Sequence, residues 1–360
     1  MLRLNNNSCE EDDRSLEKIP SEDEDSEIDT STYEIVLYGA DYTLSVFYDK
    51  LTREEIIVPD FQRKYVWTIK QASKLVESFL LGLPVPGIFL YKVKESGKLL
   101  VVDGQQRLKT IQAFRDEKFP IYDKDFVLIG VKSKWEGKKY SDLDMVDRLR
   151  YDDSILRTTI IQQINPQDNT SIYHIFERLN TGGTRLHNQE IRNSIYYGKF
   201  NNFLRELNMN PIWRKLYNFP NPNKRMKDVE LILRFFALYE DINNYEKPMN
   251  EFLSKYMAAK KDIDENEIKE MRELFIDTIQ FINDNIGNIA FRPKRNINIA
   301  AYDSVMYTIA KYKFNLRRDI KTQISELFKD KKYIKNIREG TTDKEVILKR
   351  MELAKQYLVE

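Results

Sequence analysis

Hydrophobic positions along this chain change their period near residue 165. Before that point short apolar runs alternate with amphipathic stretches, and after Gln167 almost every pattern is helical. Thr43 to Glu54 reads as a short helix, and Ile56-Ile57-Val58 as a short strand ending at Pro59. Ile69, Ala72, Val76, Phe79, Leu80 and Leu83 share one helical face, with Gly82 and Pro84 marking its end. Gly87–Val93 and Lys98–Val102 are predicted strands, joined by the hairpin signal Glu95-Ser96-Gly97. A helical pattern then starts at Leu108 and runs to about Phe114. Phe126–Val131 and Ile155–Ile164 read as further strands, with a short helix over Asp142–Arg150 between them. Ile172, Ile175, Phe176 and Leu179 give a helical stripe closed by Asn180-Thr181-Gly182-Gly183. From Asn188 onward the patterns are helical, including Met226–Tyr239, Asn266–Asn285, Ile299–Lys313 and Lys344–Leu358. The expected class is α+β: a small mixed α/β domain over 33–167, then a helical domain over 168–360.

Residues 1–32 lack apolar periodicity and are predicted to be a disordered leader. They hold 11 Asp/Glu against 3 Lys/Arg, a net of −8, so the chain's formal +1 hides a body of +9. Such a leader is ordinarily a solvated tail; it could instead mask a basic surface until nucleic acid displaces it. Residues 292–338 carry 13 Lys/Arg and 4 Asp/Glu, interleaved with tyrosines and Phe314. Arg292, Lys294, Arg295, Arg317 and Arg318 are the candidate DNA contacts there, the alternative being a solvated helical face. The lone cysteine, Cys9, excludes intrachain disulfides and Cys-based zinc sites. No run approaches the apolar length of a membrane span, and no signal-peptide core is present, so a cytoplasmic location and no membrane partner are expected.

The most informative chemistry is Asp103-Gly104-Gln105-Gln106-Arg107, which follows the apolar run Leu99-Leu100-Val101-Val102 and opens a helix. Asp103 stands where an N-cap belongs, with Gln106 three residues later, so a capping box is expected. Gly104 allows an unusual φ or close approach to a ligand. First-turn amides and the helix dipole favour an anion, and Arg107 could add a bidentate phosphate contact. An ordinary strand-to-helix turn with a surface arginine is the alternative. Gln62-Arg63 is a second polar pair leaving a strand; it could converge on the same anion or simply stack on Tyr65 or Trp67. Asn180-Thr181-Gly182-Gly183 reads first as a glycine C-cap, second as a ligand approach. His187-Asn188-Gln189-Glu190 resembles a capping box with histidine in the capping place. His174 and His187 are too few for a histidine metal nuclease, and no P-loop motif occurs, so no resident metal site is expected.

Pro59-Asp60-Phe61-Gln62-Arg63, Tyr65-Val66-Trp67, Leu83-Pro84-Val85-Pro86, Asp103–Leu108 and Ile175–Gly183 occur in one order. This set resembles the N-terminal domain of GmrSD-type modification-dependent restriction endonucleases, a family related to ParB and sulfiredoxin folds. Arg225–Phe235 resembles that family's helical half, and the likeness spans roughly residues 40–310. The resemblance implies a ParB-like domain that binds and hydrolyses a nucleoside triphosphate with magnesium, in bacterial defence against foreign DNA. Carried over, Asp103, Gln106 and Arg107 take catalytic roles. Gln62, Arg63, Gly104, Gln105, Asn180 and Gly182 contact the nucleotide or its phosphates. Full-length members add an H-N-H-like nuclease domain. The last 50 residues here are helical, basic and free of histidine, so that half is expected to be absent: either it is a separate H-N-H partner, or this chain acts without cutting DNA itself. DNA is an expected partner, a homo-oligomer is left open, and a non-catalytic nucleotide- or DNA-binding module that recruits a nuclease is the alternative function.

Overall fold

The computed structural model describes residues 16, 33–58, 65–94, 96–121, 124–165, 171, 175, 187–196, 198–223 and 225–360. The chain divides into two compact units, Ser31–Leu186 and a second that joins Met1–Thr30 to His187–Glu360. The first holds a mixed α/β arrangement and the second is helical, which is the expected fold class. No helix among the described residues is long and apolar enough to cross a membrane.

The first unit is built on a five-stranded mixed sheet. Its members are β1 (Glu34–Gly39), β3 (Ile56–Ile57), β4 (Ile88–Lys92), β5 (Leu99–Asp103) and β9 (Thr158–Asn165), in the order β1-β9-β4-β5-β3. β4 and β5 form the expected antiparallel hairpin, while β3 runs parallel to β5 and β9 parallel to β4. Two-residue strands make smaller pairs: β2 (Tyr42–Thr43) with β8 (Ile155–Leu156), and β6 (Lys118–Phe119) with β7 (Lys124–Asp125). Helices α1 (Leu44–Thr52), α2 (Ile69–Leu81), α3 (Gln105–Arg115) and α4 (Met145–Asp152) complete the unit. α2 begins at a full capping box between Thr68 and Gln71 and ends at Gly82 in the left-handed conformation, φ +70°. α3 packs on α1 and α2 and drives Leu108, Ile111 and Phe114, all 0 % exposed, into one core with Phe47, Val76, Leu90 and Val101.

Phe126–Val131 is not a strand, although Phe126 and Leu128 are buried with the alternation of one. Its main-chain hydrogen bonds go elsewhere. Ile129 N–H donates to Ser73 Oγ, Gly130 and Val131 N–H donate to the Glu136 carboxylate, and Leu128 exchanges bonds with the 137–138 turn. An extended segment tied by side chains shows the same two-residue period as a sheet member, so periodicity alone could not separate them.

The second unit contains α5 (Asn188–Ile195), α6 (Lys199–Asn208), α7 (Pro211–Tyr217), α8 (Lys227–Asp241), α9 (Met249–Ala259) and α10 (Glu265–Asn285). It continues with α11 (Ile299–Lys311), α12 (Ile320–Leu327), α13 (Lys331–Asn336) and α14 (Lys344–Leu358). α8 and α11 are its centre, each with nine or more buried residues, and α11 packs on both α8 and α14. Among the described residues, charge enters this core in networks. Asp303 on α11 receives Arg234 from α8 at 2.6 Å and Arg350 from α14 at 2.9 Å, and all three are buried. At the start of α5, Glu190 accepts from the His187 N–H at 2.7 Å, the glutamate half of a capping box. His187 Nδ1 is buried without a hydrogen-bond partner among the described residues.

Candidate functional site

The Asp103–Arg107 turn is shaped by the sheet behind it. β5 stays paired to its last residue, with Asp103 opposite Phe89 on β4. The chain then turns at Gly104, with φ +103°. A Cβ at this position would lie 2.2 Å from Ile88 Cγ2 and 2.7 Å from its Cβ. Glycine is therefore required twice, for the backbone angle and for the packing of α3 on β4.

Gly104 is also the N-cap of α3, which corrects the expectation of an Asp103–Gln106 capping box. Asp103 cannot fold back over the helix end because it belongs to the ladder and its carboxylate is already paired. Arg107 Nη2 donates to Asp103 Oδ2 at 2.7 Å and to the Gly87 carbonyl at 3.1 Å. The result is a helix N-terminus with no side-chain cap, whose first-turn amides lack intrahelical partners. The Arg107 side chain is 17 % exposed, Asp103 44 %. Arg107 Nε is buried without a hydrogen-bond partner among the described residues.

Gln106, one of the expected catalytic residues, is engaged by main chain. Its Oε1 accepts from the N–H groups of Val66 at 3.0 Å and Trp67 at 3.4 Å. It thus ties α3 to the segment that begins at Tyr65, directly after the Pro59–Lys64 stretch. A second tie runs beside it: Thr110 Oγ1 donates to the Gln106 carbonyl and lies 2.7 Å from the Tyr65 hydroxyl. Burial pushes the Tyr65 hydroxyl up to about 12, so it is a neutral hydrogen-bonding group at physiological pH. Gln105 is buried, at 8 % exposure. Gln106→Ala should cost about 1–2 kcal/mol, because two amides lose their acceptor. Amide hydrogen exchange at Val66 and Trp67 should accelerate, and unchanged exchange there would show that the tie is not formed.

The expected contacts Gln62, Arg63, Asn180 and Gly182 lie outside the described residues, as does His174. Among the basic candidates, Arg292 donates to the Leu216, Tyr217 and Asn288 carbonyls, and burial lowers its pKa. Arg317 donates to the Val359 and Gln356 carbonyls. Both guanidiniums hold main chain in place. Arg295 and Arg318 are exposed, as is Lys294.

Sequence reasoning did not find a cavity of about 740 Å³ bordered by Tyr65, Lys109, Gln112, Asp116, Lys118 and Ile121. Lys109 and Gln112 on α3 and Asp116 at its C-cap are spaced i, i+3 and i+7, on the opposite side from Arg107. That polar spacing was its only signal, and it is the spacing of any solvated helix face.

The turn, the hairpin behind it and the helix it opens all fall within residues 44–197, which match the family model described as GmrSD restriction endonuclease, N-terminal domain. No curated protein matches the chain. Residues 44–197 of this chain thus belong to the GmrSD restriction endonuclease N-terminal domain family.

Proposed function

We propose that the Asp103–Arg107 turn binds the phosphates of a nucleoside triphosphate, and that the chain is the nucleotide-hydrolysing component of a restriction system. The observation that carries this reading is the uncapped N-terminus of α3 beside a largely buried, oriented Arg107. Helix amides and a guanidinium at one helix end suit an anion. The orphaned Arg107 Nε is a donor that a phosphate oxygen would satisfy. Asp103 is the carboxylate that would meet a magnesium ion carried by the nucleotide, an ion that would neutralise phosphate charge during transfer. In this reading the chain's own work is positioning. Arg107 is held by Asp103 and Gly87, and Gln106 holds the segment that leads from Gln62 and Arg63.

The purified full chain, assayed against a panel of nucleotides with and without DNA, tests the reading. Arg107→Ala should weaken binding about 10–100-fold, the loss of one charge-assisted contact of roughly 1.5–3 kcal/mol. Asp103→Ala should split the two readouts. Magnesium-free binding should rise, because a negative charge beside the phosphates is gone, while turnover falls. Binding unchanged in both variants would remove the nucleotide from this turn.

A non-catalytic module that senses nucleotide and recruits a nuclease is favoured by one observation. Gln106 Oε1 is already engaged by two main-chain amides and is not available to orient an attacking water. Tight binding without turnover in the same assay selects this second reading.

A further inference from the structure

The five-stranded sheet has two unlike edges among the described residues. β3, at one edge, is two residues long and offers little main chain to another strand. β1, at the other, has six residues, none of them Lys, Arg or Pro. All six are exposed, and the strand presents Ile35 at 36 %, Val36 at 44 %, Leu37 at 63 % and Tyr38 at 38 %. Its one irregularity is a register shift at its very start, between Glu34 and Ile35. Its one charge, Glu34, accepts from Asn165 Nδ2 of β9 at 2.6 Å. Proteins usually blunt such an edge with charge, proline or a central bulge, and β1 carries none of these over Ile35–Gly39.

The register tells which main-chain groups of β1 point outward. Val36, Leu37, Tyr38 and Gly39 stand opposite Gln162, Ile161, Ile160 and Thr159 of β9. Continued by one residue, the same register sets Ala40 opposite Thr158, and the Ala40 N–H donates to the Thr158 carbonyl at 3.0 Å. Hydrogen-bonded residues alternate along an antiparallel ladder. Tyr38 and Val36 therefore turn their main chain toward β9 as Ala40 does, and Ile35, Leu37 and Gly39 turn theirs to the open side. These three outward positions are symmetric about Leu37. An antiparallel copy of the strand related by a two-fold axis through Leu37 would set Leu37 opposite Leu37 and Ile35 opposite Gly39, each pair exchanging both N–H and C=O. In the same register Val36 meets Tyr38, and Glu34 meets Ala40 rather than a second carboxylate. Every directly opposed pair is apolar or uncharged on at least one side, so no like charges face each other.

We infer that β1 is a self-association edge: two copies of this chain join their five-stranded sheets through an antiparallel β1–β1 pair centred on Leu37. The inference is independent of the nucleotide reading and uses no residue of the Asp103–Arg107 turn. A closed two-fold pairing consumes both edges, so it stops at a dimer and does not grow into a filament. Six residues span about 20 Å of edge. Such a strip covers roughly a few hundred Å² per protomer, less than the ~800 Å² of a standard interface. The dimer is therefore weak and concentration-dependent, with a Kd on the order of 1–100 µM.

Sedimentation of the full chain over that concentration range tests the inference. The parent should pass from monomer to dimer. Leu37→Lys opposes two like charges at the axis and should raise the dimer Kd at least tenfold. Leu37→Pro removes an outward N–H only, so it should abolish the dimer while leaving thermal melting close to that of the parent. Disulfide trapping under a mild oxidant, in a Cys9→Ser background, reads the register. Leu37→Cys should cross-link, because a directly opposed hydrogen-bonded pair has Cα atoms about 5.5 Å apart. Val36→Cys should not, because its counterpart lies two residues along the other strand, about 8 Å away. A parent that stays monomeric throughout overturns the inference. A dimer that persists in both Leu37→Lys and Leu37→Pro overturns the assignment to this edge. Cross-linking of Val36→Cys as readily as Leu37→Cys overturns the two-fold through Leu37. None of these outcomes alters the nucleotide assay.

Discussion

Gly104→Ala is expected to destabilise the α/β unit by about 2–5 kcal/mol and to abolish nucleotide binding at the turn. Two costs combine. A φ of +103° is outside the regions an L-residue occupies without strain, which costs roughly 1–2 kcal/mol. The added methyl would also sit 2.2 Å from Ile88 Cγ2, and forcing a carbon into a packed core costs roughly 1–3 kcal/mol. Relief requires α3 to lift from β4, which moves Arg107 away from the Gly87 carbonyl and disperses the first-turn amides. Urea denaturation of Gly104→Ala, Ile88→Ala and the double variant separates the terms. The double variant should regain about 1 kcal/mol relative to the sum of the singles, because trimming Ile88 removes the 2.2 Å overlap with Cγ2 but leaves the 2.7 Å approach of its Cβ and the backbone strain. Strict additivity would mean that the turn relaxes without moving the helix, and that glycine does not position Arg107.

Asp303→Ala is expected to cost about 3–5 kcal/mol in the helical unit. Asp303 is 0 % exposed on its side chain, Arg350 0 % and Arg234 3 %. Arg234 is bidentate to the carboxylate, through Nε at 3.1 Å and Nη2 at 2.6 Å, and Arg350 also donates to the Thr341 carbonyl. Removing the carboxylate leaves two guanidiniums facing each other with no anion between them. Converting all three to apolar residues of similar volume should be far milder, since the penalty comes from uncompensated charge rather than from lost attraction. Denaturation midpoints of Asp303→Ala and of the apolar triple variant decide the point. A loss below about 1 kcal/mol for Asp303→Ala would show that water reaches the triad.

Much of the fold was legible from residue order. Gly82 marks the end of α2 by capping chemistry that is local to a few residues. The β4–β5 hairpin followed from two apolar runs around Ser96-Gly97, and α14 has the limits its apolar spacing predicts. Misreadings arose where a local pattern had two physical causes. Phe126 and Leu128 alternate as in a strand, yet Ser73, Glu77 and Glu136 satisfy that stretch instead of a neighbouring strand. Asp103 has the identity and spacing of a cap, yet pairing with Phe89 keeps it in the sheet and leaves Gly104 to start the helix.

The candidate site divides the same way. The sequence by itself determined that a glycine, two glutamines and an arginine open a helix after a buried strand, because propensity, period and turn chemistry act over a few residues. It also determined the ordered motifs that place residues 44–197 in their family. Only the tertiary structure decided what those side chains touch. Arg107 reaches a carbonyl 20 residues away, Gln106 binds amides 39 and 40 residues away, and Asp303 meets arginines 69 and 47 residues away. A polar group can be satisfied by many partners at similar free energy, so its choice is made by how the apolar core brings distant segments together. Gly104 shows the limit most clearly. That it is a glycine is written in the chain, but that Ile88 leaves room for nothing larger follows only from the packing of α3 on β4.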